Sequence, residues 1–183
     1  DDATDFLYVG EFREAKGIDT LVEALFLLAN EGLHPSITLV GSGPSEERIR
    51  ALITERGIDG QFRWRGVTPA AVAFKLGRAM VVSSRFESLP YIVLEAVAGK
   101  LPLITTDVGG IPEIVTRDYR YLLPPNDPRR LASVMKEVYG RPFAELKAEA
   151  ASLSDLIKTR FTVPLMVETV LSGYRKALSE RRQ

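Results

Sequence analysis

Runs of β-branched and aromatic residues recur along this chain at Phe6 to Gly10, Ile37 to Gly41, Phe62 to Gly66, Met80 to Ser84, Leu103 to Thr106 and Tyr119 to Leu123, with helical patterns between them. In the clearest of those patterns Ile18, Leu21, Val22, Leu25, Leu28 and Ala29 fall on one helix face, and the pattern ends at Gly32. Strands separated by helices are joined by crossovers rather than hairpins, which makes them parallel and buries both faces of the sheet. The chain is therefore predicted to be α/β: a Rossmann-like, doubly wound parallel sheet of about six strands with helices on both faces. From about residue 128 to 183 the strands stop, and helical patterns run over Leu131 to Tyr139, Phe143 to Leu156 and Val163 to Leu178. In the last of these, Val163, Met166, Val167, Val170, Leu171, Tyr174, Ala177 and Leu178 form an apolar stripe after Thr162, a plausible cap. That stripe is expected to pack, for most of its length, on this domain's own sheet.

Size and charge limit what such a sheet can serve. The 183 residues, 45% of them apolar, suffice for one core, so residues 1–183 are read as a single domain. Lys plus Arg and Asp plus Glu both number 24, so no net field draws the chain to nucleic acid or to an anionic membrane, and a ligand has to be held by a local site. The absence of cysteine removes disulfides, a thiol nucleophile and thiolate metal sites. The single histidine, His34, precedes Pro35 in a predicted turn and reads as a solvated loop residue. The longest apolar run, Ala24 to Ala29, is too short to cross a bilayer, and no signal segment opens the chain, so a soluble domain is expected. The abrupt start at Asp1, Asp2, Ala3 suggests an excised fragment.

Open parallel sheets bind ligands beyond the carboxyl ends of their strands, where free helix amides favour anions. After the first strand, Gly10 and Gly17 permit close backbone approach, while Arg13 and Lys16 offer positive charge to a diphosphate. The alternative is a charged turn with Arg13 paired to Glu11 or Glu14, and on this segment alone the turn is favoured. After the second strand, Gly41, Ser42, Gly43, Pro44 resembles half a dinucleotide fingerprint, with Glu46 in place of the third glycine, or else a tight strand-to-helix turn. A nucleoside-triphosphatase loop fails at Leu101, which follows Gly99 and Lys100, and at Leu94, where its first glycine would stand. The most informative stretch runs from Ser83 to Gly99. There a loop presents Glu87, and a short helix begins near Pro90 with Glu95 flanking an apolar face of Ile92, Ala96 and Val97. These carboxylates suit sugar or ribose hydroxyls, and the amides at Tyr91 to Val93 suit a phosphate. Equally, Glu95 pairs with an arginine and Glu87 caps the helix.

The segment Glu87 to Val115, with Glu-Ser-Leu-Pro-Tyr-Ile-Val-Leu-Glu-Ala and Gly-Gly-Ile-Pro-Glu-Ile-Val, resembles the C-terminal domain of glycosyltransferase family 4, whose hallmark is two glutamates separated by seven residues. Val9 to Gly17, the Gly41 to Pro44 turn and Phe62 to Val67 extend the likeness over most of the chain. The resemblance implies the C-terminal half of a GT-B enzyme, in which two Rossmann-like domains face each other and this one grips a nucleotide-sugar donor, most often linked to UDP or GDP. By position, it implies that Glu87 contacts the donor sugar, Glu95 binds ribose hydroxyls, Lys16 binds phosphate, and Pro90, Tyr91, Ile92 and Val93 hold the diphosphate. Gly10 and Gly43 then approach the donor, and Gly66 and Val67 lie beside the base. It further implies transfer of a hexose-type sugar with retention to a saccharide or lipid-linked acceptor, with no metal or other cofactor. Such enzymes work most commonly in bacterial polysaccharide or glycolipid pathways, in the cytoplasm or at the cytoplasmic face of a membrane.

Two positions depart from the pattern. Glu11 stands where relatives carry a phosphate-binding arginine, a role Arg13 is expected to take over, and Ser88 replaces a frequent glycine. The N-terminal acceptor domain is missing from these residues, and the last helix would cross back to it, so the chain alone is expected to transfer little. Peripheral membrane attachment through that domain is left open. Competing readings are a non-catalytic nucleotide-binding or regulatory module, a nicotinamide-dependent oxidoreductase and a nucleotide-sugar epimerase.

Overall fold

The computed structural model describes residues 2–180. Six parallel strands, β1 (Thr4–Val9), β2 (Ile37–Val40), β3 (Phe62–Arg65), β4 (Gly77–Val82), β5 (Leu103–Thr106) and β6 (Leu122–Leu123), form one sheet in the order β3-β2-β1-β4-β5-β6. Phe6 pairs with Ile37 on one side of β1 and with Ala79 on the other. The chain winds outward from β1 to β3, returns to lay β4 beside β1, and winds outward again. The connections therefore reverse direction between β1 and β4, and a crevice opens beyond their carboxyl ends.

The helices are α1 (Ile18–Asn30), α2 (Glu46–Glu55), α3 (Ala70–Ala73), α4 (Tyr91–Ala98), α5 (Ile111–Val115), α6 (Pro128–Gly140), α7 (Phe143–Lys158) and α8 (Val163–Glu180). Alternation along β1 sends Phe6 and Tyr8 into a core shared with α1, α2 and α6, and Leu7 into a second core shared with α4, α5 and α7. The doubly wound arrangement expected from the sequence is the one found. α6 begins where Pro128 occupies the first turn and the Asp127 carboxylate accepts the Arg130 amide at 2.9 Å, and it buries Leu131, Val134, Met135 and Val138.

Three strands start at a different residue from the sequence expectation, and β1 to β4 each end one or two residues early. β1 begins at Thr4, whose hydroxyl lies 2.9 Å from that of Thr38, so a buried polar residue extends the strand. β4 begins at Gly77, where a Cβ would come within 2.7 Å of Leu7 Cβ, an approach only glycine allows. β6 shrinks to Leu122–Leu123, because Tyr119 turns its hydroxyl onto the Leu103 carbonyl at 2.6 Å instead of entering the ladder.

The larger correction is α8. None of its residues is buried, and Val163, Tyr174 and Leu178 are 69%, 66% and 62% exposed. The stripe therefore does not pack on the sheet. One face is already covered by α1, α2 and α6, and on the other α7 packs Ile157 and Leu153 beside α4 and α5, while its Leu146 reaches the first core. No described helix is long and apolar enough to cross a membrane.

Candidate donor site

Two loops carry the charged residues of the crevice. The first leaves β1 at Gly10 and is anchored by Phe12, which is fully buried and sits edge-on to Trp64 at 5.7 Å between ring centroids. The Gly41–Gly43 turn lies directly beneath it. A Cβ on Gly41 would fall 2.0 Å from the Gly10 carbonyl, and one on Gly43 would fall 2.5 Å from the Phe12 carbonyl. Glycine is thus required there for packing against the neighbouring loop, and Gly43 also lines the crevice. The loop then makes a short turn over Glu14–Lys16 and passes through Gly17 at φ 61° into α1.

The second loop leaves β4 and is stapled to the first. The Ser83 hydroxyl donates to the Lys16 carbonyl at 3.1 Å, and the Arg85 amide donates to the Ala15 carbonyl at 2.7 Å. The Arg85 guanidinium donates to the Glu14 carbonyl at 2.7 Å and the Asp19 carboxylate at 2.8 Å. Behind it, Gly109 at φ 53° would place a Cβ 1.7 Å from the Glu87 carbonyl, and the Gly110 amide donates to the Ser88 carbonyl at 2.8 Å. Glu87 is held from both sides by backbone before its side chain makes any contact.

Residues distant in sequence meet as a result. Lys16 Nζ lies 2.7 Å from Glu87 Oε1, which also accepts the Ser84 hydroxyl at 2.7 Å, and the Glu87 side chain is only 8% exposed. Glu87 therefore does not cap α4, whose first turn receives no side-chain bond. Arg13 lies 2.6 Å from Glu11 Oε1 in a pair that is 61% and 47% exposed, as the charged-turn alternative expects. Tyr8 forms part of the crevice floor and donates to the Glu11 carbonyl at 3.1 Å. Burial first, then the negative charges of Glu87 and Glu11, push its phenol far above the ordinary value.

The crevice has two lobes that share Val9, Gly10 and Glu11. One, about 460 Å³, is bounded by Gly43, Val67 and Thr68; the other, about 360 Å³, is bounded by Lys16, Glu87, Pro90, Tyr91 and Ile92. The remaining sequence candidates lie elsewhere. The Val93 side chain is fully buried and its amide donates to the Pro90 carbonyl at 3.0 Å, which leaves Tyr91 and Ile92 as the open amides of the first turn. Glu95 is exposed and outside both lobes, one turn along α4 from Tyr91, and among the described residues it has no arginine partner. Sequence reasoning passed over the positioning residues Ser84, Arg85, Gly109 and Gly110. The adjacent glycines after β5 were the available signal. His34 is exposed at the amino end of β2, opposite the crevice. Among the described residues no group of three or more His, Asp or Glu side chains is placed to hold a metal ion.

A crevice with a lysine, open helix amides and a seated carboxylate can bind an extended ligand that carries both phosphate and hydroxyl groups. The family model described as glycosyl transferases group 1 matches residues 1–152. The chain is 31% identical over 190 residues to a D-inositol 3-phosphate glycosyltransferase of Acidothermus cellulolyticus, a match that covers 96% of this chain and 42% of that one. Among solved structures, sucrose-phosphate synthase from Thermosynechococcus elongatus superposes with a TM-score of 0.81 at 25% identity, over 98% of this chain and 46% of that one. The C-terminal domain of a glycosyl transferase group 1 family protein from Francisella tularensis superposes with a TM-score of 0.74 at 21% identity, over 87% of each chain. The chain spans less than half the length of the curated relatives it matches.

Proposed function

The chain belongs to the glycosyl transferases group 1 family, and on that footing we propose that it is the donor-binding, C-terminal half of a GT-B glycosyltransferase. In this reading the enzyme transfers a hexose-type sugar with retention from a nucleotide-sugar, UDP- or GDP-linked, to a saccharide or lipid-linked acceptor, without a metal or other cofactor. The observation that carries the reading is the junction of Lys16 and Glu87, 2.7 Å apart, in the crevice between β1 and β4.

The base would lie in the Gly43–Val67 lobe and the diphosphate over Gly10, facing the Tyr91 and Ile92 amides. As the diphosphate arrives, the Lys16 ammonium turns from Glu87 to the phosphate oxygens, and the Glu87 carboxylate becomes free to accept hydrogen bonds from sugar hydroxyls. Lys16, the α4 amides and Arg13 then stabilise the departing diphosphate, in geometry set before the substrate binds. Glu95 takes the ribose hydroxyls from the outer turn of α4.

The acceptor domain is the proposed partner of α8. Burying one large apolar side chain is worth roughly 1.5–3 kcal/mol, so the exposed stripe has much to gain from that contact. Val67, Phe86 and Tyr91, all more than two-thirds exposed at the rim, would also face that domain. The setting proposed is the cytoplasm, with any membrane attachment supplied by the other domain. The isolated chain is then expected to transfer little sugar, and robust transfer by it would contradict this reading. The alternative, a nucleotide-binding module without catalysis, draws on the Glu11 carboxylate in the crevice. Donor hydrolysis by the full-length protein, lost in Glu87→Ala, separates the two, since a binding module hydrolyses nothing in either form.

A further inference from the structure

The charges around the crevice do not match an empty anion site. The charged residues lining its two lobes are Lys16, a cation, and Glu87 and Glu11, both anions, and Glu11 borders both lobes. Arg13 lines neither lobe and is held by Glu11 at 2.6 Å. The field of the two carboxylates is already felt by Tyr8, which they push further in the direction burial does. An anion that spans both lobes passes Glu11, and Arg13 can serve it only by leaving Glu11. Exposed ion pairs of this kind are weak, so the exchange is easy.

We propose that Glu11 is a release residue: it competes with the diphosphate for Arg13 and repels the spent nucleoside diphosphate more than the intact donor. This rests on the donor-site reading above. The physical basis is the charge difference between donor and product. In the donor the outer phosphate is esterified to the sugar, whereas in the product it is terminal, with a further oxygen that ionises with a pKa of about 6. At neutral pH the product is the more negative ligand, and a carboxylate at the junction of the lobes penalises it more. An arginine there would hold both ligands tightly and retain the product. Glu11 gives up some donor affinity and speeds release of the diphosphate.

The test is calorimetric titration of the chain at neutral pH and low salt. UDP, GDP and ADP are compared with UDP-glucose, GDP-glucose and ADP-glucose. Wild type is compared with Glu11→Gln, and with Glu14→Gln as an equal charge change on an exposed residue outside both lobes. Glu11→Gln is expected to tighten the bound nucleoside diphosphate about three- to fivefold and the matching nucleotide-glucose by less, with both gains shrinking in salt. Glu14→Gln is expected to change either ligand less than twofold. Equal tightening of both ligands, or the same effect from Glu14→Gln, would overturn the release role. If wild type binds a nucleoside diphosphate and Glu11→Gln leaves its affinity unchanged, this inference alone fails. If neither wild type nor Glu11→Gln binds any of the six ligands, the donor-site reading fails and takes this inference with it. Because the Glu11 side chain touches only Arg13 among the described ion pairs, the substitution leaves the core intact.

Discussion

Two ion pairs of nearly equal length flank the same crevice, and they differ in almost everything else. Lys16 and Glu87, 2.7 Å apart, are 28% and 8% exposed, and both their loops are clamped by Ser83, Arg85, Gly17 and the Gly109–Gly110 turn. Arg13 and Glu11, 2.6 Å apart, are 61% and 47% exposed and sit on one loop, two residues apart. A short N···O distance therefore says little by itself. The buried pair is held in place by backbone that would remain if the charges were removed, whereas water competes for the exposed pair at every moment. The first is suited to machinery and the second to exchange with a ligand.

Substitutions can break or sharpen that contrast. The largest effect is expected for Glu87→Ala, which should lower transfer by the full-length enzyme on the order of 10²–10³-fold, measured as initial rate at saturating donor, while leaving the fold intact. Next comes Gly109→Ala, where a side chain is forced into positive φ against the Glu87 carbonyl. A loss of about 2–3 kcal/mol is expected from the urea unfolding midpoint, and a loss under 0.5 kcal/mol would mean that the clamp behind Glu87 is slack. Lys16→Ala should weaken nucleoside diphosphate binding about tenfold, a charge-assisted contact of the stronger kind, read by calorimetry. Arg13→Ala should weaken it only about two- to threefold, because Arg13 is half committed to Glu11, and the loss should vanish at high salt. An Arg13→Ala loss as large as that of Lys16→Ala would erase the distinction between the two pairs.

The parts legible in the sequence were those set by local periodicity. Strand and helix alternation yields the sheet, and the last three helices lie within a few residues of their expected bounds. Periodicity shows that a face wants a partner without saying which. Periodicity accordingly sends the α8 stripe to a sheet whose faces the other helices cover. On α4 the inward face is Val93, Ala96 and Val97 rather than Ile92, Ala96 and Val97, with Val93 in the place expected for Ile92. Val93 is buried and Glu95 left exposed, while the Val93 amide leaves the open set separately, through its own bond to the Pro90 carbonyl. The encounter of Lys16 with Glu87, 71 residues apart, depends on the β1–β4 pairing and on clamps made largely by backbone carbonyls, which no spacing rule encodes. Resemblance to known glycosyltransferases names both residues for the site, one for phosphate and one for sugar, but not their contact.

The central claim, that this crevice is a nucleotide-sugar site, is tested most directly by titrating the chain with UDP, GDP, ADP and NAD and repeating any binding with Lys16→Ala and Glu95→Gln. The account predicts selective binding of one nucleoside diphosphate, weakened by both substitutions, with no binding of NAD. Binding of NAD, or nucleotide binding indifferent to Lys16→Ala in a folded protein, would contradict it.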